Sequence, residues 1–218
     1  MIVAHEIKNP LTPVKLSAER LQRKYSDRIE GKDSSVFKEC TKTIIDQVEV
    51  LKNMVNEFSR FARMPITKPT PNDLNAVIED SIILYQDAHK DIEFHFERGK
   101  NIPTLSIDRE QINRVMINIL DNAVAAVSTH DTEKRIEIST YYDNGSRNAK
   151  VEVRDNGPGI EPRDKMKLFE PYFSTKKSGT GLGLAIVDSI ISDHNGSVSV
   201  RDNIPRGTAI IIELPVVT

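Results

Sequence analysis

Two glycine-rich stretches, Asp155-Asn156-Gly157-Pro158-Gly159 and Gly179-Thr180-Gly181-Leu182-Gly183, lie in the second half of this 218-residue chain. The first follows an alternating apolar pattern typical of a strand, and the second runs directly into the apolar pattern of a helix. Closely spaced glycines let backbone N–H groups approach phosphate oxygens, and the N-terminus of a helix attracts anions. Together they indicate a phosphate-bearing ligand, although either stretch alone is equally typical of a flexible loop or a turn.

Asp155 narrows the kind of ligand that these stretches would bind. Neither stretch fits a dinucleotide fingerprint or a Walker A loop, because the required glycine spacing and the Gly-Lys-Ser/Thr sequence are missing. Asp155 continues the alternation of Val151 and Val153 on the buried face of a strand, where a carboxylate needs a hydrogen-bond donor. An adenine amino group would be such a donor. The alternative is that Asp155 only caps the turn that follows it.

Helix and strand patterns alternate through residues 72–218. Helices are predicted at 74–85, at 109–127 after the N-cap residue Asp108, and at 183–194. Strands are predicted at 92–96, 104–107, 135–141, 150–155, 197–201 and 208–214. This mixture, with hairpins between several strands, predicts an α+β sandwich with helices on one face of a mixed sheet. Three prolines at positions 65, 69 and 71 predict a linker at 66–71.

The first 65 residues have the pattern of two helices with narrow apolar seams. The seam positions are Ile7, Leu11, Val14, Ala18, Leu21 and Tyr25 in one helix, and Ile44, Val48, Leu51, Val55, Phe58 and Ala62 in the other. Such a repeat suits a helical bundle, and the charged segment Ser26 to Ser35 is expected to turn the chain. One hairpin leaves its seam partly in water, so we expect a dimer with a four-helix bundle. The alternative is that the seam packs on the rest of the chain.

Composition narrows the functional classes. Hydrophobic residues make up 38% and charged residues 28% of the chain, which is typical of a globular protein, and the net charge of -2 gives no sign of a nucleic-acid partner. Cys40 is the only cysteine, which excludes an intrachain disulfide and suggests a reducing cytoplasm. No apolar run approaches the roughly 18 residues that a membrane helix needs, so we expect no membrane contact in this sequence.

Two polar features on predicted helices are candidate sites. Asn118 and Asn122 share one helix face, which Gln111 and Arg114 extend as a polar stripe. Amide oxygens suit Mg2+, although asparagines alone are more typical of a solvated helix face. His5 lies off the apolar seam. It is next to Glu6, which is able to orient its imidazole or accept its proton, although a lone surface histidine usually has no such role.

In this order, the motifs resemble those of the sensor histidine kinases of two-component signalling, over almost the whole chain. The matching motifs are an H box at His5 to Leu11, an N box at Asn118 to Ala123, a first glycine box at Asp155 to Ile160, an F box at Phe169 to Lys176, a second glycine box at Gly179 to Leu184, and a closing Gly207-Thr208. Five boxes in this order are specific to the family, whereas each box alone is not. The Asn-Pro-Leu-Thr-Pro run from Asn9 and the Phe-Glu-Pro-Tyr-Phe form of the F box are similar to the nitrogen-regulation branch, the NtrY and NtrB types.

The resemblance implies a helical hairpin for dimerisation and phosphotransfer at 1–65, a linker at 66–71 and a Bergerat-type ATP-binding domain at 72–218. His5 would accept a phosphoryl group from ATP, with Glu6 as general base, and pass it to an aspartate of a response-regulator receiver domain. Asn9 matches the position that orients water when such proteins dephosphorylate that partner. Only four residues precede His5, so we expect an N-terminally truncated, cytoplasmic piece of a membrane-anchored sensor.

The resemblance also implies contacts with ATP and Mg2+. Asn122 would hold Mg2+ and Asn118 would support the phosphates, whereas Lys176 would reach the terminal phosphate. Asp155 would bind the adenine amino group, with Thr208 nearby. The residues that would edge a mobile lid over the nucleotide are Gly157, Gly159, Gly179, Thr180, Gly181, Leu182 and Gly183.

Two other functions stay open. A non-catalytic ATP-binding scaffold would share the fold, but every box keeps its polar residues. Another Bergerat-fold enzyme, such as an ATPase or a serine-directed kinase, would lack the H box.

Overall fold

A computed structural model of the chain describes residues 2–61, 66–129, 133–175 and 180–216. The chain divides into two compact units, one formed by Met1–Pro65 with Ser174–Leu182 and the other by Ile66–Phe173 with Gly183–Thr218. Within the described ranges, none of the helices is both long enough and apolar enough to cross a membrane.

The first unit contains a hairpin of two long helices. Helix α1 spans Ile2–Tyr25 and helix α2 spans Lys32–Phe61. The connection is shorter than the predicted turn at Ser26 to Ser35, because α2 already begins at Lys32. Gly31 has a φ of 71° just before α2, in the left-handed region where glycine has no Cβ to clash. The local glycine therefore sets where the chain reverses.

The apolar seam of this hairpin is only partly covered. Ala18 of α1 and Val48 of α2 are buried, and Lys15 Nζ lies 2.7 Å from Glu49 Oε2 across the two helices. Other seam residues keep between 43% and 47% of their surface exposed, namely Val14, Leu21, Ile44 and Leu51. The hairpin thus leaves an apolar strip along positions that the heptad pattern assigns to its seam.

The second unit contains a mixed five-stranded sheet in the order β2-β4-β5-β7-β6. Its strands are β2 (Glu93–Glu97), β4 (Arg135–Asp143), β5 (Asn148–Asp155), β6 (Ser197–Asp202) and β7 (Thr208–Pro215). Strand β2 is parallel to β4, and the other pairs are antiparallel. A separate two-stranded sheet joins β1 (Thr70–Asn72) to β3 (Leu105–Ile107).

Three long helices pack on one face of the five-stranded sheet, as the sequence predicts. They are α3 (Leu74–Ala88), α4 (Arg109–Val127) and α6 (Gly183–Asp193), and a single turn, α5, spans Pro162–Lys165. Ile138, Val153 and Ile210 lie side by side on the inward face, where they are buried. Each such side chain contributes about 1.5–3 kcal/mol when it is removed from water. The opposite face carries charged pairs such as Arg154 with Glu152.

Strand β1 and helix α5 have no counterpart in the sequence prediction, and α3 continues to Ala88 rather than ending at Tyr85. Strand β1 begins within the stretch 66–71, for which the prolines predicted no regular structure. Asn72 Nδ2 donates to Ile107 O over 3.0 Å, and the backbone N–H of Lys68 donates to Asp108 Oδ2 over 3.0 Å. These contacts hold the stretch against the start of α4. The domain boundaries stay a prediction.

Candidate functional site

One face of α4 carries Asn118, Asn122 and Ala126 at intervals of one helical turn. One residue of each glycine stretch, Gly157 and Gly183, lies next to this face. A Cβ on Gly183, the first residue of α6, would lie 3.0 Å from Asn118 Oδ1 and 4.0 Å from Asn122 Nδ2. A Cβ on Gly157 would lie only 2.8 Å from the Cβ of Ala126. The absence of side chains at both glycines therefore lets the backbone approach the same strip of α4.

The end of this strip near α6 combines amide groups with a helix N-terminus. The first N–H groups of a helix have no partner within it and favour phosphate. Asn118 Nδ2 donates to Arg114 O over 2.8 Å, which orients the Asn118 amide. Since Gly183 leaves room beside both asparagines, the residues fit a phosphate group with Mg2+, which takes amide oxygens as ligands.

The polar stripe on α4 is covered near the start of the helix. Gln111 is buried rather than solvent-facing, and its Oε1 accepts a hydrogen bond from Thr67 Oγ1 over 3.2 Å. Gln111 is seven residues before Asn118 and so lies on the same helix face, but a segment distant in sequence covers it.

The opposite end of the strip holds Asp155, the last residue of β5. Its side chain is 7% exposed and lies on the inward face, where Asp155 pairs in register with Ile136 and Thr208. Asp155 Oδ1 accepts from the backbone N–H of Gly157 over 2.9 Å and from that of Thr208 over 3.3 Å. The carboxylate thus caps the turn and also faces inward, as the register of β5 predicts, and its role towards adenine stays a prediction.

The loop between β6 and β7 closes over the end of β5. Asn203 Nδ2 donates to the backbone carbonyl of Asp155 over 2.9 Å, and Asn203 N–H donates to Gly207 O over 3.1 Å. Gly207 has a φ of 118°, and a Cβ there would overlap the carbonyl oxygen of Asp155. Sequence reasoning did not single out Asn203, and its position just before a Pro- and Gly-containing turn was the available signal.

Asn156 holds the other side of the first glycine stretch. Its Oδ1 accepts from the N–H of Arg135 over 2.9 Å, and its Nδ2 donates to Glu133 O over 2.7 Å. The residue after Asp155 is therefore joined to the start of β4.

Lys165 of α5 forms an ion pair of 2.6 Å with Asp202 at the end of β6.

Asp121, which lies between the two asparagines in sequence, contacts α3 instead of the glycine stretches. Tyr85 Oη donates to Asp121 Oδ1 over 2.6 Å and lies 3.1 Å from Ile117 O. Burial raises the pKa of Tyr85, and the hydrogen bond to Asp121 adds to that rise. The neutral tyrosine therefore fixes α4 against α3.

The N-terminus of α4 is fixed in a similar way by its cap. Burial opposes ionisation of Asp108, but hydrogen bonds from the N–H groups of Lys68, Gln111 and Glu110 outweigh it and lower the pKa of the carboxyl. The ionised cap stabilises the end of the helix by its charge and its hydrogen bonds.

The remaining predicted site residues are only partly described. His5, Glu6 and Asn9 lie on α1, and their side chains are outside the described part of the structure. Lys176 and Gly179 also lie outside the described residues.

Four further predicted lid residues lie in the part of the chain that the structure describes. Gly159 and Gly181 have φ values of 82° and 68°, in the left-handed region. Leu182 is fully buried, and Thr180 is half-buried.

Comparison with known proteins identifies two domains in this chain. Residues 107–218 match the family of histidine kinase-, DNA gyrase B- and HSP90-like ATPases, and residues 2–65 match the His kinase A phospho-acceptor domain. Nitrogen regulation protein NtrY of Azorhizobium caulinodans is 37% identical over 214 residues, which cover 97% of this chain and 27% of that protein. An NtrY-like sensor histidine kinase of Rickettsia bellii is 36% identical over 210 residues, which cover 96% of this chain and 34% of that protein.

A solved structure shows the same architecture. The crystal structure of histidine kinase ThkA in complex with response regulator protein TrrA has a TM-score of 0.70 and 27% sequence identity, and the match covers 99% of this chain and 60% of that chain. This chain spans only 27% and 34% of the length of the two NtrY-type relatives. From the two matched domains, the order of the motifs and these relatives, the chain belongs to the two-component sensor histidine kinases of the NtrY type.

Proposed function

We propose that this chain is the catalytic part of a sensor kinase that transfers the terminal phosphoryl group of Mg-ATP to His5 and then to an aspartate of a response-regulator receiver domain. The observation that carries this proposal is the strip on α4. An inward carboxylate, Asp155, lies at one end, and Asn118, Asn122 and the N-terminus of α6 lie at the other. An adenine nucleotide has matching chemistry, with an amino donor at one end and phosphates at the other.

The adenine end depends on Asp155 and Thr208. Both are buried, and the carboxylate is fixed by two backbone N–H groups on Oδ1. An inward-facing carboxylate also accepts from a ligand, and the amino group of adenine is a suitable donor. Thr208 lies directly opposite Asp155 in the sheet and would complete this contact.

The phosphate end depends on Asn122, Asn118 and the lid residues. Asn122 would hold Mg2+, which when bound neutralises phosphate charge. Asn118 and the N–H groups at the start of α6 would orient the phosphates, with Gly183 giving the backbone room to approach. Lys176, Gly179, Thr180, Gly181 and Leu182 would close over the nucleotide, together with Gly157 and Gly159.

The transfer itself forms a bond between a ring nitrogen of His5 and the terminal phosphorus, and breaks the bond from that phosphorus to the bridging oxygen of ADP. Glu6 would accept the proton from the other ring nitrogen, the one that does not attack phosphorus. The receiver aspartate then takes the phosphoryl group from His5. Asn9 would orient a water molecule if the same surface also hydrolyses the phosphorylated receiver.

The protein would act as a homodimer. The seam residues Val14, Leu21, Ile44 and Leu51 leave an apolar strip on the hairpin. A second copy of the hairpin has the same heptad pattern and would cover the strip in a four-helix bundle.

The proposal is tested with ATP carrying a labelled terminal phosphate. Labelling is compared between the unmodified chain, His5→Gln and Asn122→Ala, with exposed His95→Gln and Asn144→Ala as matched controls. Acid-labile label that is lost in the first two variants and kept in both controls would support the proposal. Nucleotide binding is measured on the same samples.

The other outcomes separate the alternatives. ATP binding without label, in a chain extended upstream of α1, would favour a non-catalytic scaffold. Acid-stable label would favour a serine-directed enzyme of the same fold. Absence of ATP binding would overturn the proposal.

A further inference from the structure

The loop at residues 203–207 contacts the backbone of Asp155 from above the sheet edge. Asn203 donates through Nδ2 to the Asp155 carbonyl over 2.9 Å, and its own N–H closes the loop on Gly207 O over 3.1 Å. The next three residues, Ile204, Pro205 and Arg206, are exposed, whereas Asn203 is half-buried. The Asn203 side chain therefore links the loop to the end of β5.

Asn203 contacts β5 at its end, where the backbone of a strand is least constrained. Asp155 is the last residue of β5, and the ends of regular elements fray when their backbone groups lack fixed partners. The carbonyl of Asp155 is held by Asn203, and its carboxylate Oδ1 is held by the N–H of Thr208 over 3.3 Å. The first contact comes from the β6–β7 loop and the second from the first residue of β7, so adjacent segments hold the backbone and the carboxylate of Asp155.

Gly207 makes this arrangement possible. A Cβ at this position would overlap the carbonyl oxygen of Asp155, so only glycine lets the loop approach closely enough for Asn203 to reach it. This close approach holds the loop against the residue that carries the carboxylate. It is useful when the direction of the Asp155 carboxylate has to be set accurately.

We infer that Asn203 is a positioning residue for base recognition, which orients Asp155 and so sets the preference for a 6-amino purine over a 6-oxo purine. The inference rests on the proposed role of Asp155 towards adenine. A well-directed carboxylate accepts from the amino group of adenine and repels the carbonyl of hypoxanthine. Loss of the Asn203 amide releases the Asp155 backbone carbonyl, so the end of β5 that carries the carboxylate shifts, which weakens the first interaction and relieves the second.

The test measures binding of ADP and of inosine diphosphate by calorimetry. The full chain is compared with Asn203→Ala and with Asn203→Leu, a near-isosteric variant that lacks the amide donor. Exposed Asn144→Ala, in the β4–β5 turn, is the matched control. The loss of one hydrogen bond is expected to weaken ADP binding about three- to tenfold in both Asn203 variants. Inosine diphosphate binding is expected to change by less than about twofold, so the selectivity ratio falls.

A purely structural role gives a different result. It would weaken both nucleotides by the same factor in step with a lower Tm, and that outcome would overturn the inference. An unchanged ratio in both Asn203 variants, with ADP still bound by the unmodified chain, would also overturn it while leaving the proposed function intact. If the unmodified chain binds no ADP, the proposed function itself fails and the inference falls with it. Because Asn203→Leu keeps the branched shape and the number of heavy atoms of the side chain, it keeps the comparison available if Asn203→Ala does not fold.

Discussion

The hydroxyl of Thr140 on β4 donates to Oδ1 of Asn75 on α3 over 2.5 Å. The backbone of Gly99 completes a closed ring, because its N–H donates to Thr140 Oγ1 over 2.8 Å and its carbonyl accepts from Asn75 Nδ2 over 3.0 Å. Thr140 is buried, so the ring ties a helix, a strand and a loop together inside the second unit. Buried polar groups persist in this way only when each has a partner.

Replacing Thr140 by Val should destabilise the protein. The variant keeps the shape of the side chain but removes the hydroxyl that the Gly99 N–H and Asn75 Oδ1 share. The expected loss is about 1–3 kcal/mol in the free energy of unfolding, measured by urea denaturation. Thr104→Val, at an exposed position, is the control. Equal stability of the two variants would show that the ring contributes nothing.

We predict that His194 in the folded protein is neutral and carries its proton on Nδ1. The N–H of Asp108 donates to His194 Nε2 over 2.9 Å, while His194 Nδ1 lies 2.8 Å from Ile190 O. Only the Nδ1–H tautomer satisfies both contacts. A 1H–15N spectrum of the imidazole should show it, and His194→Leu should cost about 1–3 kcal/mol. Observation of the Nε2–H tautomer would contradict this arrangement, and exposed His95→Leu serves as the control.

Gly207→Ala should reduce both stability and ADP binding. The φ of 118° disfavours any side chain, and the new Cβ would overlap the carbonyl of Asp155. We expect a loss of more than about 1 kcal/mol in the free energy of unfolding. Gly145→Ala is the matched variant, because the nearest atom to its Cβ would be Asp143 Oδ1 at 3.3 Å. The melting temperatures of the two variants are compared by thermal unfolding. Similar values would show that the loop does not approach the Asp155 carbonyl so closely.

The β4–β5 turn should contribute to the acid dependence of stability. Hydrogen bonds from the Ser146 side chain and from Lys150, with the N–H groups of Ser146 and Gly145, lower the pKa of Asp143 to about 2 from its ordinary 3.8. The folded state thus prefers the ionised carboxylate. Its contribution is complete above about pH 3.8 and is lost as the pH falls towards 2.

Asp143→Asn should therefore flatten the dependence of unfolding free energy on pH within this window. Carboxyl 13C titration by NMR measures the pKa directly, and exposed Asp87→Asn is the control. A pKa of Asp143 near the ordinary 3.8 would show that the hydrogen bonds of the turn do not stabilise its ionised carboxylate.

An aspartate in the exposed seam should weaken self-association. Leu21 and Leu51 are each 46% exposed on the hairpin, and a charge there is incompatible with an apolar bundle core. We expect Leu21→Asp and Leu51→Asp to shift the chain towards monomer in sedimentation measurements across a concentration series. Leu84→Asp, at a 63% exposed position on α3, should leave the equilibrium unchanged. If all three variants associate alike, the strip is not a dimer interface.

Local signals in the sequence account for much of the fold. The cap at Asp108 predicted where α4 begins, and its side chain does accept from the N–H groups of Glu110 and Gln111. The alternation of Val151 and Val153 predicted that Asp155 faces inward, which the structure confirms. Capping and periodicity involve neighbours within one or two turns, so the residues themselves carry the information.

Contacts between distant segments account for the features that were missed. Strand β1 contains Pro71, which locally disfavours a strand, and it forms because Leu105–Ile107 lies beside it. Gln111 followed the polar pattern of an exposed residue, but Thr67 covers it from a segment 44 positions away. Neither outcome is visible to a periodicity argument.

The sequence by itself determined the family, the order of the motifs and the faces on which Asn118, Asn122 and Asp155 lie, because these follow from spacing along single helices and strands. Only the tertiary structure decided that Gly157 and Gly183 approach the same strip of α4, and that Asn203 holds the carbonyl of a residue 48 positions earlier. The physical reason is that a hydrogen bond or a close backbone approach depends on atomic positions, which sequence neighbours do not specify until the sheet and its helices have packed.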